Sequence, residues 1–531
     1  MTGHMSPVDH YRHMSQLRTS ILASRSWKGV TLSAILRITS LAVVPVAAIA
    51  FVVALGPAPL ANATPCGAPE ANIEPPAAQP AMPAPQPVVQ PPTGRRPSHT
   101  NDQAPLPKLG PLIASLIKPT TGGGQRYSAP MVPQAGVAPP PAPNPPVPGP
   151  PQSPNATPLR PNAAPVPQPA PQPAPDALPP PASIAGAPTS LVDWVTGPNG
   201  PNKTLQRFGI SGTDLGIVWD NGDSANRQAL MAFGDTFGYC KVRGQQWRYN
   251  VLFRSSDHDL SQGIHISDGV PNNNYSGSPV WTNGLSKQVV NTIHKANHET
   301  GIIPTSAMSL GRTQYMSYMS IRQWGHDGEW STNYSAIARS NDNGQNWGIF
   351  PGSIRTAGAD TVPGAGYTPG NENFQMGAFM KGNDGYIYNF GTPSGRGGAA
   401  FLSRVPPNQL PDLTKYQYWN GDNGGHWVPA NPGAATPLWP GPVGEMSAQY
   451  NSYLKQYLVL YTNGGSNDVV ARTAPTPQGP WSGEQPLVSS FQMPGGIYAP
   501  MIHPWSSGRD LYFNLSLWSA YDVMLMHTVL P

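Results

Sequence analysis

Two short stretches hold acidic side chains in settings suited to chemistry. One is Gly212-Thr213-Asp214-Leu215-Gly216; the other is Phe233-Gly234-Asp235-Thr236-Phe237-Gly238. In each, a carboxylate stands among small residues at the edge of an apolar, strand-like run. Such a carboxylate is more often a working group than a packing group. Two carboxylates flanking a scissile bond are what glycoside hydrolysis requires. One is held protonated and donates to the leaving oxygen; the other, ionised, activates water or attacks the sugar carbon.

The elements that position these acids are short strands. From about Thr189 onward, apolar or alternating runs recur between Gly, Asn, Asp and Pro, the pattern of strands joined by tight turns. They fall into five units: 214–218, 229–233 and 249–255; 303–310, 314–321 and 335–339; 374–380, 385–390 and 399–405; 444–450, 456–461 and 469–473; 497–502, 510–516 and 523–529. The unit leads are spaced on the scale of propeller blades with insertions. The expected fold is all-β, a five-bladed β-propeller over residues 188–531. The innermost strands of a propeller line its channel, so acids at their starts are the first candidates: Asp214, Glu372 and Glu445, with Asp235 ending a second strand. Asp214 and Glu445 come from blades that lie across the channel. The catalytic pair is either Asp214 with Asp235 or Asp214 with Glu445, unless an acid is instead paired with one of Arg248, Arg254, Arg312, Arg322 or Arg396. Trp219 and Tyr498 are the aromatic faces expected to meet sugar rings. Arg248 and Asn250 share one face of a strand and are expected to bind hydroxyls, with Glu372 as a further substrate contact.

Other acids read as turn formers. Ser340-Asn341-Asp342-Asn343-Gly344-Gln345-Asn346-Trp347 fits S-x-D-x-G-x-x-W, a propeller hairpin in which Asp accepts backbone N–H groups and Gly supplies a positive φ. Asp220, Asp223 and Asp384 sit beside Gly or Asn and belong to turns as well.

Composition divides the chain. Of its 531 residues, 68 are Pro, and most of these precede residue 190, so only the C-terminal part can bury a sizeable core. Residues 1–63 are a basic n-region, an uncharged apolar run at 38–55 and an Ala61-Asn62-Ala63 cleavage pattern: a signal peptide or a membrane anchor. Residues 64–187 are a Pro/Ala-rich, disordered spacer of polyproline II character. Either N-terminal reading places the remainder outside the cytoplasmic membrane, secreted or held at the envelope, with 38–55 as the means of membrane attachment. Cys66 and Cys240 either pair, tying the spacer to the first blade, or remain two thiols. A net charge of +4 over this length, without a basic block interleaved with aromatics, argues against nucleic acid as a partner. No Cys/His cluster has zinc spacing, no cofactor is called for, and a monomer is expected.

Several of these pieces together resemble a known family. They are Asp214-Leu215-Gly216, Phe233-Gly234-Asp235-Thr236-Phe237, Ile303-Pro304-Thr305-Ser306, Gln314-Tyr315-Met316-Ser317-Tyr318-Met319-Ser320, Gly444-Glu445-Met446-Ser447 and Tyr498-Ala499-Pro500-Met501. The combination is similar to a family of exported actinobacterial propellers, long labelled only as a domain of unknown function, that includes the endo-D-arabinanases of mycobacteria. The resemblance covers about 190–531. It implies a five-bladed propeller that cuts internal α-linked D-arabinofuranose bonds of arabinogalactan and lipoarabinomannan. It places the family's acids on Asp214 and Asp235, with Glu445 as a further candidate. Widely spaced acids in related furanosidases favour inversion by a water, and some propeller glycosidases hold a structural Ca2+ in the channel. Two other functions stay open: a non-catalytic glycan-binding propeller of the envelope, and a sialidase-like enzyme, which needs an arginine triad and a tyrosine nucleophile.

Overall fold

The computed structural model describes Cys66, Pro69–Asn72, residues 178–325 and residues 328–531. The run at 38–55, the pattern at 61–63 and most of the 64–187 tract lie outside the described residues. Among the described residues the chain is almost entirely strand, with a single short α-helix, Thr204–Phe208.

Five sets of antiparallel strands follow one another in the chain. They are Leu215–Asp220, Ala229–Phe233 and Val251–Ser255; Gly301–Leu310, Thr313–Trp324 and Trp330–Ser340; Met376–Lys381, Ile387–Thr392 and Gly398–Val405; Trp439–Asn451, Gln456–Asn463 and Val469–Ala474; and Ile497–Ile502, Asp510–Leu517 and Asp522–Val529. All five expected units are present in order. The Gly398–Val405 strand also pairs with Trp439–Asn451, which joins the third set to the fourth in one sheet. The first strands of the sets contact one another in sequence, and Ile497–Ile502 contacts Leu215–Asp220, so the circuit of first strands closes. Apolar clusters fill the spaces between neighbouring sets, as in Leu458, Leu460 and Val469 against Leu511, Phe513 and Leu515. Gln456–Asn463 is covered on both faces: every residue is buried, and residues 457–461 are a continuous apolar run.

Small hydroxyls tie the first strands to strands of the neighbouring sets, Ser516 from the second strand of the fifth. Ser306 Oγ accepts the Phe379 N–H at 2.7 Å, and Ser516 Oγ accepts the Leu215 N–H at 2.8 Å. Ser447 Oγ donates to the Pro500 carbonyl at 2.7 Å and accepts the Ile502 N–H at 3.0 Å. A bulkier side chain at these positions would hold the strands apart.

The N-terminal edge differs from the expectation. Thr189–Trp194 is the outer strand of the fifth set, paired antiparallel with Asp522–Val529 from Thr189 opposite Thr528 to Trp194 opposite Met524. The folded part also begins before residue 188. Ile184 is fully buried and its N–H donates to Gln485 Oε1 at 2.5 Å, so the end of the proline-rich tract is part of the core. Cys66 and Cys240 form a disulfide, and the Cys240 N–H donates to the Ala71 carbonyl at 2.9 Å. The early segment is thereby fixed to the first set.

The Ser340–Trp347 hairpin behaves as its motif predicts. Asp342 Oδ1 accepts the Asn346 N–H at 2.9 Å and the Ser340 hydroxyl at 2.7 Å; Gly344 has φ +76°; and Trp347 meets Trp219 edge-on at 6.4 Å. Asp342→Ala is expected to lower stability by about 1–2 kcal/mol, because the turn loses these acceptors. Thermal unfolding would register the loss, while activity per folded molecule stays unchanged.

Candidate active site

One pocket lies where the five first strands begin. Asp214, Asp235 and Glu445 all line it, together with Arg396, Tyr498 and an apolar wall of Trp324, Trp330, Trp518 and methionines. A second cavity follows further along the same five strands and shares Thr305 and Met501 with the first, so both belong to one central channel. An apolar concavity with a few convergent polar groups is the usual form of a ligand site.

Breaks in strand pairing aim the side chains. The pairing of Leu215–Asp220 with Ala229–Phe233 shifts between Leu215 and Ile217, next to Asp214, where Leu215 has φ +72° and Gly216 φ +68°. In the fifth set the pairing shifts between Tyr498 and Met501, and Ala499, directly after Tyr498, has φ +54°. A third shift, between Val443 and Met446, brackets Glu445. Such bulges re-aim one side chain out of a strand's alternation. Leucine and alanine in left-handed backbone each cost on the order of 1–2 kcal/mol. The rest of the fold holds them there.

Each acid has a distinct setting. Asp214 Oδ2 accepts the Tyr498 hydroxyl at 3.0 Å, while its Oδ1 is buried without a partner. Gly234 makes room for it: a Cβ at that position would lie 2.4 Å from Asp214 Oδ1. Burial, and then the neighbouring Asp235 charge, push the Asp214 carboxyl up to about 8, against the opposing pull of the Tyr498 hydrogen bond. Asp214 is therefore protonated at neutral pH. Asp235 Oδ1 accepts the Trp247 indole N–H at 3.1 Å, and Trp247 is braced edge-on by Tyr249 at 5.0 Å. Glu445 is held two-pronged by Arg396, with Nε to Oε2 at 2.9 Å and Nη2 to Oε1 at 2.7 Å. The Arg396 guanidinium lies 4.9 Å over the Tyr498 ring and 5.6 Å over the Trp330 ring.

Tyr498 thus sits in the site as a hydrogen-bond donor to an acid. Because its bond favours the ionised form of Asp214, Tyr498→Phe is expected to raise that pKa further. An activity that needs protonated Asp214 will then persist to higher pH, and the basic limb of kcat/KM against pH will report the shift.

The other expected substrate contacts lie elsewhere. Arg248 is fully buried and donates to the Ser286 and Gly209 carbonyls at 2.8 and 2.5 Å. Both residues precede the Val251–Ser255 strand and do not share a strand face; Asn250 donates to the Val290 and Ile302 carbonyls, both at 2.9 Å. Both side chains tie neighbouring segments together, Asn250 reaching the Gly301–Leu310 strand of the second set through Ile302. Trp219 donates from Nε1 to Gln314 Oε1 at 2.8 Å and lines the far cavity, not the acid pocket. Glu372 accepts the Tyr367 hydroxyl and the Gly370 N–H at 2.9 and 2.8 Å, closing a turn outside the pocket. Asp220, Asp223 and Asp384 accept backbone N–H groups of Gly222, Ala225 and Tyr386 in their turns. Among the described residues, no group of three or more His, Cys, Asp or Glu is placed to hold a metal ion.

Residues 199–527 match the family described as a domain of unknown function, DUF4185. The chain belongs to this family. Notoamide biosynthesis cluster protein J of Aspergillus sp. (strain MF297-2) is similar to it, 28% identical over 330 residues that cover 59% of this chain and 82% of that protein. Protein J' of Aspergillus versicolor is 29% identical over 329 residues, covering 59% and 83%. Among solved structures, a glycosyl hydrolase from Bacteroides ovatus aligns at 13% identity with a TM-score of 0.35, over 65% of this chain and 94% of its own.

Two side chains that hold charged groups of the site in this DUF4185 domain have no sequence signal of their own. Trp247 carries no local mark in the sequence; it precedes the Thr236–Arg248 bridge and meets Asp235 across it. Trp330 opens a strand after a hairpin and had no local mark; the fold sets it over Arg396.

Proposed function

We propose that this DUF4185 chain is a glycoside hydrolase, an endo-D-arabinanase acting on the arabinan of mycobacterial arabinogalactan and lipoarabinomannan. The observation that carries the hydrolase reading is the pairing of a protonated Asp214 with Asp235 in one pocket. The D-arabinan specificity rests on the family resemblance of the quoted motifs. We take the five sets and their closed circuit of first strands as a five-bladed propeller. A disulfide between Cys66 and Cys240 suits an exported protein, in keeping with a signal or anchor segment ahead of a proline-rich spacer.

The chemistry follows from the two settings. Asp214 gives its proton to the glycosidic oxygen as the bond to the anomeric carbon breaks. Asp214 and Asp235 flank the same strand pair, and we take Asp235 as the group that attacks the anomeric carbon directly, with retention. The product of this step is a glycosyl ester on Asp235 and a free sugar alcohol carrying the Asp214 proton. Ionised Asp214 then takes a proton from water, the hydroxide adds to the anomeric carbon, and the Asp235 carboxylate leaves. Arg396 neutralises Glu445 throughout, and the pair shapes the wall.

Incubation with purified mycobacterial arabinogalactan tests the reading. Mass analysis is expected to show a ladder of arabino-oligosaccharides, and NMR of the first product to show retained anomeric configuration. Binding of the polysaccharide with no new reducing ends would replace the hydrolase by a glycan-binding propeller.

A further inference from the structure

Buried polar atoms in folded proteins nearly always have hydrogen-bond partners, so those that lack them call for an explanation. Among the described residues, eleven buried side-chain polar atoms have none. Four of the eleven belong to residues lining the acid pocket: Asp214 Oδ1, Thr305 Oγ1, Trp330 Nε1 and Trp518 Nε1. Such a concentration in one small wall is not what packing defects would produce. The four come from three sets: Asp214 leads the first, Thr305 and Trp330 belong to the second, and Trp518 follows the second strand of the fifth. Thr305 also lines the cavity beyond, so it stands at the level where the pocket meets the rest of the channel.

Their chemistry is matched. An indole N–H only donates, and a threonine hydroxyl can donate. Asp214 Oδ2 already accepts from Tyr498, so the proton of the neutral carboxyl belongs on Oδ1, a fourth donor. A ligand that satisfies this set must present several uncharged acceptors around a compact, partly apolar body. It should not be an anion. Arg396 is the one cation among the lining residues, and its charge is met by Glu445 while Tyr498 and Trp330 cover its faces.

We propose that Trp330, Trp518 and Thr305 are specificity-determining donors that read the ring hydroxyls of a neutral sugar placed against Asp214. The proposal rests on the glycosidase reading and narrows it to uncharged sugars, against a sialic or uronic acid. A lost donor leaves a sugar hydroxyl unpaired in a buried site, and removal of that hydroxyl from the ligand should then cost nothing more.

Thr305→Val, Trp330→Phe and Trp518→Phe keep most of the volume or the ring and delete the donor. Each is tested beside the wild type with a linear α-linked D-arabinofuranose oligosaccharide and its monodeoxy forms, by calorimetric binding and by hydrolysis; unfolding temperature and near-ultraviolet dichroism verify the fold. Each variant is expected to lose about 5- to 50-fold in affinity or kcat/KM. For one deoxy form per donor, the penalty seen in the wild type should vanish in the matching variant, and the basic pH limb set by Asp214 should not move. Hydrolysis with no loss in any variant would overturn the proposal and leave the glycosidase reading standing. Binding without hydrolysis, weakened in the variants, would keep the proposal and remove the enzyme. Preference for sialyllactose over the neutral oligosaccharide, or no binding of either, would overturn the proposal.

Discussion

Asp214→Asn is expected to lower kcat by roughly 10^2- to 10^4-fold, the range in which a positioned general acid contributes. Asp235→Asn should remove at least as much, because the glycosyl ester can no longer form. Aryl arabinosides with good leaving groups separate the two roles: they need little protonation and should restore much of the kcat/KM of Asp214→Asn, with kcat still held down by slow hydrolysis of the glycosyl ester, and they should restore nothing in Asp235→Asn. The same Asp214 substitution is expected to stabilise the fold. The Asp214 carboxyl titrates at about 8 in the folded chain against an ordinary 3.8. Below pH 4 both folded and unfolded chains hold the proton, and the site costs nothing. Between about 4 and 8 the folded chain keeps a proton the unfolded chain has released, so wild-type stability falls as pH rises through that window and levels off above it. Asparagine does not titrate. The advantage of Asp214→Asn should therefore be absent near pH 4 and reach the order of a few kcal/mol at pH 8. An unfolding-temperature difference that does not grow with pH would show that Asp214 is not held protonated.

This conflict between stability and function explains why part of the site was legible in the sequence. Asp214 and Asp235 stand out because glycines beside them clear space that packing alone would have filled; Gly234 lies against Asp214 Oδ1. The five sets were legible because strand alternation and turn residues are local signals. The outer strand of the fifth set was not, since Thr189–Trp194 is short and half-exposed, and its partner strand lies at the other end of the chain. Arg248 and Asn250 show a subtler limit. Period-2 spacing would put both on one face of a strand, but the strand begins only at Val251, and spacing cannot tell where a side chain before it will point. Here the two meet the carbonyls of Gly209, Ser286, Val290 and Ile302. Glu372 and Trp219 fail for the same reason: depth along the channel is a property of the assembled ring, so Trp219 lines the far cavity while Glu372 closes a turn. The unmet donors of Trp330 and Trp518 could not be seen at all, because a missing partner is visible only in three dimensions.

Arg396→Met is expected to have the largest effect on stability. It leaves the Glu445 carboxylate, whose side chain is 11% exposed, without the two-pronged partner that holds it. Breaking a buried pair from one side costs about 3–5 kcal/mol, because the remaining charge cannot be solvated. Glu445→Gln should cost less, since the amide oxygen still accepts from the guanidinium and Tyr498 and Trp330 still cover its faces. Arg396→Met combined with Glu445→Leu removes both charges and should recover most of the loss, so the double-mutant cycle has a large coupling. The pair also tunes Asp214 with opposite signs: Glu445 raises its pKa and Arg396 lowers it. In folded protein, Glu445→Gln should therefore move the basic limb of the pH–rate profile down and Arg396→Met should move it up. If Glu445 were itself the proton donor or the nucleophile, Glu445→Gln would abolish turnover and leave no limb to measure. A surviving activity with a shifted limb instead assigns the catalytic pair to Asp214 and Asp235 and leaves Glu445 as the group that sets their charge.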